Sequence, residues 1–91
     1  MSRGEISWKR RDDEGHRCQV YAHRKGKSWE FFTREKRFDQ WQLLGKPSLE
    51  DWLLLLDGIK RRIPRRLIPV GEDEHVRRRI RLLFPDSTID S

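Results

Sequence analysis

The chain predicts an α+β fold, a three-stranded antiparallel β-meander followed by two α-helices in the order β-β-β-α-α, and particular stretches of sequence carry that prediction. Residues 17 to 34 alternate polar and apolar side chains on both sides of a Lys25-Gly26 turn. The same alternation runs through residues 5 to 11, and after Pro47-Ser48 the apolar spacing becomes helical.

The hairpin of residues 17 to 34 comes first because its two strands agree with each other. With Arg24 and Lys27 flanking the turn, Ala22 is expected opposite Trp29, Val20 opposite Phe31 and Cys18 opposite Thr33. One face is thereby a core. The other face pairs Tyr21 with Glu30 and Gln19 with Phe32 and also carries Arg17, His23 and Arg34, so aromatic rings lie among cations. Upstream, Ile6 and Trp8 alternate with Ser7 and Lys9. A three-residue loop, Asp13-Glu14-Gly15, closed between Asp12 and His16, pairs Ile6 with Ala22 and Trp8 with Val20 and puts them on the same inner face.

Residues 36 to 47 lose the alternation while holding Phe38, Trp41, Leu43 and Leu44. They are expected as loop, with a short fourth strand as the alternative. Ser48 is a suitable N-cap, with Asp51 three residues later as a short capping-box acid. Trp52, Leu53, Leu56, Ile59 and Ile63 then follow as the apolar stripe, with Leu54 and Leu55 off it. The helix ends near Arg62 because Pro64 follows. Its apolar side is expected to pack on the inner sheet face, which would otherwise leave Trp8, Trp29 and Phe31 wet. A second helix, from Glu72 to Phe84, aligns Val76, Ile80 and Leu83. It opens on Glu72, Asp73 and Glu74 and carries Arg77, Arg78, Arg79 and Arg81 later, in the order its dipole favours, before Pro85 stops it. Residues 1 to 85 are expected to form a single α+β domain and residues 86 to 91 a flexible C-terminal tail.

Of the 91 residues, 34% are hydrophobic and 40% charged, a balance near that of disordered chains, but four Trp, four Phe and a Leu-rich run supply the side chains of a core. The 21 Lys and Arg against 15 Asp and Glu give a net charge of +6, with 15 Arg to 6 Lys. Arginine's planar fork pairs with phosphate and stacks on bases, so the composition favours nucleic acid as partner. A lone cysteine excludes an intramolecular disulfide, and no apolar leader opens the chain, so a cytoplasmic location is expected. The longest apolar run, Trp52 to Leu56, is five residues, against about 20 for a bilayer span.

His16, Cys18 and His23 are metal-ligand types, but strand parity places His16 and Cys18 on the core side and His23 opposite, and no further Cys or His pair completes a set. Neither metal nor cofactor is expected. No nucleophile elbow, phosphate loop or zinc-protease motif occurs, so the reading is non-enzymatic. The outer sheet face offers more. Tyr21 and Phe32, diagonal neighbours in the expected register, form a stacking platform flanked by Arg17 and Arg34. Arg61, Arg62, Arg65 and Arg66 bracket Pro64 at a helix end and suit a phosphate backbone. These eight residues make up the expected nucleic-acid site. The function so read is a small nucleic-acid-binding module, single-stranded RNA among the candidate ligands. The alternative is a protein-interaction module, dimeric or bound to an acidic partner, using the same face or the Leu-rich helix.

Overall fold

The computed structural model describes residues 5–26 and 28–87. Contacts divide the chain into two compact units, Met1–Pro47 and Ser48–Ser91. The first holds an antiparallel sheet in the order β1-β2-β3-β4, formed by β1 (Glu5–Arg11), β2 (Arg17–Lys25), β3 (Ser28–Arg34) and β4 (Gln42–Leu43). The second holds α1 (Leu49–Arg62) and α2 (Glu72–Leu83). The α+β class and the β-β-β-α-α core of the order are as the alternation and helical spacing predict.

The β1–β2 connection follows its sequence closely. Asp12 N–H donates to His16 O at 2.8 Å and Gly15 N–H to Asp12 O at 3.0 Å, with Gly15 at φ +85°. That left-handed position suits a glycine. Ile6 therefore pairs with Ala22 and Trp8 with Val20. Inward parity buries Ile6, Cys18, Val20, Ala22, Trp29 and Phe31, and Trp8 meets Phe31 edge-to-face at 6.0 Å.

Between β2 and β3 the register differs from expectation by two residues. Lys25 pairs with Ser28, so Ala22 stands opposite Phe31, Val20 opposite Thr33, Tyr21 opposite Phe32 and Gln19 opposite Arg34. The reason lies in the turn. Gly26 adopts φ +62° as the first residue after the Lys25–Ser28 pair closes, the position at which both tight hairpin turns demand a positive φ. A Lys25-Gly26 turn would have put a lysine there. Lys27, the expected flanking residue, lies outside the described residues. Because the shift is even, every side chain keeps its face while its partner changes.

The expectation of loop throughout residues 36 to 47 is corrected at Gln42–Leu43. These residues pair with Thr33 and Phe32, and Leu44 N–H donates to Phe31 O at 2.8 Å. The free edge of β3 has unpaired backbone groups, and even a two-residue strand satisfies some of them.

In the second unit α1 begins with a complete capping box. Asp51 N–H donates to Ser48 Oγ at 3.2 Å and Ser48 N–H to Asp51 Oδ2 at 3.4 Å. The buried stripe is Trp52, Leu55, Leu56 and Ile59, at i, i+3, i+4 and i+7. Leu55 thus belongs to the core, whereas Leu53 is 40% exposed and Ile63 half-buried, which corrects the expected stripe. Beyond α1 the chain makes one further turn, closed by Leu67 N–H to Arg62 O at 3.2 Å and Arg66 N–H to Ile63 O at 2.9 Å. This is a Schellman pattern, with Arg66 at φ +59° in the left-handed place. On α2, Val76 and Ile80 are fully buried, but Leu83 is 46% exposed, contrary to its expected place on that face. After Pro85, Ser87 donates to Phe84 O from its N–H at 3.0 Å and its hydroxyl at 2.7 Å. Residues 88–91 of the expected tail lie outside the described residues.

Candidate functional site

The corrected register arranges the outer sheet face in cross-strand rows. Arg11 faces Arg17 at the hairpin end; next come Lys9, Gln19 and Arg34, then Ser7, Tyr21, Phe32 and Leu43, then Glu5, His23 and Glu30. Cations gather at the hairpin end and aromatics in the middle, while at the other end Glu30 is met by His23 and, at 3.9 Å, by Lys25.

Direct pairing brings Tyr21 and Phe32 closer than the expected diagonal. Their rings stack with centroids 5.0 Å apart and planes 18° from parallel. Trp41, held by the short β4 pairing, meets Tyr21 edge-on at 4.6 Å. The guanidinium of Arg34 lies 4.2 Å from the centroid of Trp41 and its Nε donates to Gln19 Oε1 at 2.7 Å. His23, 5.6 Å from Phe32 between centroids, places Nε2 3.1 Å from Glu30 Oε1. All three rings of the aromatic row, Tyr21, Phe32 and Trp41, stay half-exposed. Burial, and then the charges of Glu5 and Glu30, push the Tyr21 phenol above its usual pKa. It therefore stays neutral near physiological pH, as a stacking and hydrogen-bonding group does.

Arg17 is exposed and lies away from the rings, in a groove of about 530 Å³ where it joins Lys9, Arg10, Arg11 and Arg37, with Glu35 as the one acid among the described lining residues. Gln19 also lines this groove. Through its bond to Arg34 it links the cations to the aromatic row.

The helix-end arginines form a separate group in the second unit. Arg61 pairs with Asp57 at 3.2 Å and Arg62 donates to Gly58 O at 3.1 Å, while Arg65 and Arg66 are exposed. In the later basic run, Arg77 is 7% exposed and bridges to Asp73 at 3.1 Å and Glu74 at 3.4 Å. Arg77 thus serves α2 itself.

His16 is exposed, which corrects its expected inward place, and Cys18 is a buried free thiol. Asp12, His16 and Glu35 bring potential ligand atoms within 4.8 Å of one another. Asp12 Oδ1 accepts the backbone N–H groups of Glu14 and His16, each at 2.9 Å, and Oδ2 lies 3.6 Å from His16 Nδ1. Hydrogen bonds and ion pairs within the hairpin account for the placing of Asp12 and His16, and Glu35 comes from the segment after β3.

Sequence reasoning missed Trp41, Lys9, Gln19, Arg11 and Arg37. The β1–β2 pairing already implied Arg11 opposite Arg17, a like-charge pair legible from the loop alone. Trp41 and Arg37 follow β3 in the segment expected as loop, with no periodicity to aim them.

Searches against protein-family models, curated proteins and solved structures find no match to this chain. The fold and site define a small basic α+β protein with an aromatic and cationic sheet face. Among the described residues, no helix is long and apolar enough to cross a membrane.

Proposed function

We propose that this protein is a cytoplasmic, non-enzymatic nucleic-acid-binding module, and that it takes a single strand across the outer sheet face. The observation that carries the reading is the continuity of stacking surface and cations. The Tyr21–Phe32–Trp41 cluster adjoins Arg34 and Gln19, and Gln19 lines the groove of Arg17 and its neighbours. Bases of a flexible strand stack on half-exposed rings while guanidinium groups meet its phosphates. A duplex, whose bases are already stacked, has little use for such rings. Arg61, Arg62, Arg65 and Arg66 supply further phosphate contacts from the second unit. The neutral Tyr21 suits base stacking.

Fluorescence anisotropy with short single-stranded RNA and DNA tests the reading. Tyr21→Ala is expected to weaken binding with little change in its salt dependence, because stacking releases few counterions. An absence of association for both nucleic acids at low salt would overturn it.

The second reading, a protein-interaction module using the same sheet face or the Leu-rich helix, draws on exposed Leu43 beside Phe32 and exposed Leu53 on α1. Light scattering distinguishes the two. A clean dimer that binds no oligonucleotide favours the protein-interaction module.

A further inference from the structure

We propose that the groove at the hairpin end of the sheet is a terminal-phosphate site, which takes the phosphomonoester end of the single strand whose bases lie on the aromatic row. This rests on the nucleic-acid reading above and adds to it the part of the ligand that the groove recognises.

Arg11 and Arg17 are direct cross-strand partners, and both are exposed. Like charges directly opposite one another destabilise an antiparallel pair. Lys9, Arg10 and Arg37 line the same groove with Glu35, whose carboxylate clusters with Asp12 and His16, so cations outnumber acids there. Part of this charge is oriented by the backbone: Arg10 donates to Arg11 O at 3.2 Å and Arg11 to Gly15 O at 3.0 Å. Such a cluster has a cost to the folded chain that a bound anion offsets.

The surroundings select the kind of anion. Asp12, Asp13 and Glu14 occupy the hairpin loop next to Arg11 and Arg17 in sequence, with Asp13 and Glu14 exposed. Asp12 is held ionised, its carboxyl below the usual range because the His16 backbone N–H donates to it. A phosphodiester backbone continuing past the cations meets these carboxylates and is repelled. A strand that ends in the groove stops short of the exposed Asp13 and Glu14 at the loop tip. Its terminal phosphomonoester carries about −1.5 to −2 charges at neutral pH and three strong acceptor oxygens, where an internal phosphate carries one charge. Forked guanidinium groups pair with that arrangement in bidentate fashion. In the other direction, Gln19 and Arg34 lead from the groove to Trp41 and Tyr21, where the bases following the terminal phosphate stack.

Calorimetric titration of the full chain with three oligonucleotides of one sequence, bearing a 5′-phosphate, a 3′-phosphate or hydroxyls at both ends, tests the proposal. One phosphorylated end is expected to bind about tenfold more tightly than the hydroxyl form, the increment of a charge-assisted hydrogen bond. The phosphorylated arm that gains decides which end is read. Arg17→Gln is expected to abolish the preference while the melting temperature stays level or rises, since the opposition to Arg11 is gone. Lys9→Gln supplies a second variant should Arg17→Gln not fold. Equal affinity for all three oligonucleotides, with salt-sensitive binding retained, overturns the terminal-phosphate site and leaves the nucleic-acid reading standing. No binding of any of them at low salt overturns both.

Discussion

The Asp12 carboxylate closes its own hairpin loop, and this gives the first unit an acid-sensitive joint. The His16 N–H, and after it the Glu14 N–H, stabilise the charged form and lower its pKa, with desolvation opposing them. A depressed folded-state pKa contributes stability that is present above the unfolded value and lost as pH falls through the folded one. The amide resonances of Glu14 and His16 are therefore expected to shift only below the ordinary aspartate range. In Asp12→Asn, which keeps an acceptor but has no carboxyl to titrate, that shift should vanish. An amide transition within the ordinary range would show that the loop bonds do not form in solution.

Arg66 has a different residue-scale consequence. A non-glycine side chain in the left-handed region costs about 1 to 2 kcal/mol, and glycine there returns part of that gain as unfolded-state entropy. Arg66→Gly is expected to raise stability by up to about 1 kcal/mol in chemical denaturation, whereas Arg66→Val should lower it. If Arg66 also meets phosphate, the glycine variant is more stable and binds more weakly.

At the scale of elements, α1 shows how helical spacing is resolved by packing. Leu53 and Leu55 have the same chemistry, but Leu55 is fully buried and Leu53 is 40% exposed. Leu55→Ala is expected to cost about 2 to 5 kcal/mol as the cavity it leaves collapses only in part. Leu53→Ala should stay within about 0.5 kcal/mol, as surface changes usually do. Comparable losses in urea denaturation would mean that the two helix faces are equally buried. The β2–β3 turn gives the matching case in the sheet. There the alternation fixes which side chains face inward, and a glycine's backbone freedom decides which of them meet.

For the whole molecule the net charge of +6 becomes a binding property only where cations converge. If four of Arg17, Arg34, Arg61, Arg62, Arg65 and Arg66 meet phosphates of a single strand, affinity is expected to fall about 50-fold between about 50 and about 200 mM salt, from a slope near −0.7 per contact. Arg65→Ala with Arg66→Ala should flatten that slope and weaken all sequences alike. A slope unchanged by the double substitution would remove the second unit's arginines from the interface. Arg77, already paired to Asp73 and Glu74, is not expected to contribute.

Local rules were enough for the α+β class, the inner and outer faces of the meander, the three-residue loop after β1, and both ends of α1. Strand parity, turn chemistry, capping and proline act within a few residues, so they are legible wherever those residues stand. Tyr21 and Phe32 were legible as outward aromatics for the same reason. Their stacking was not, because a two-residue slip of β3 preserves every face, and only the closed turn at Gly26 separates one register from the other. Trp41 and the groove cations depended on tertiary structure still more. Trp41 reaches Tyr21 because β4 completes hydrogen bonds on β3, and Arg37 joins Arg17 in lining one groove because the chain leaving β3 passes the β1–β2 hairpin. Periodicity records where a side chain points along its own strand, whereas these contacts depend on which distant segment arrives beside it.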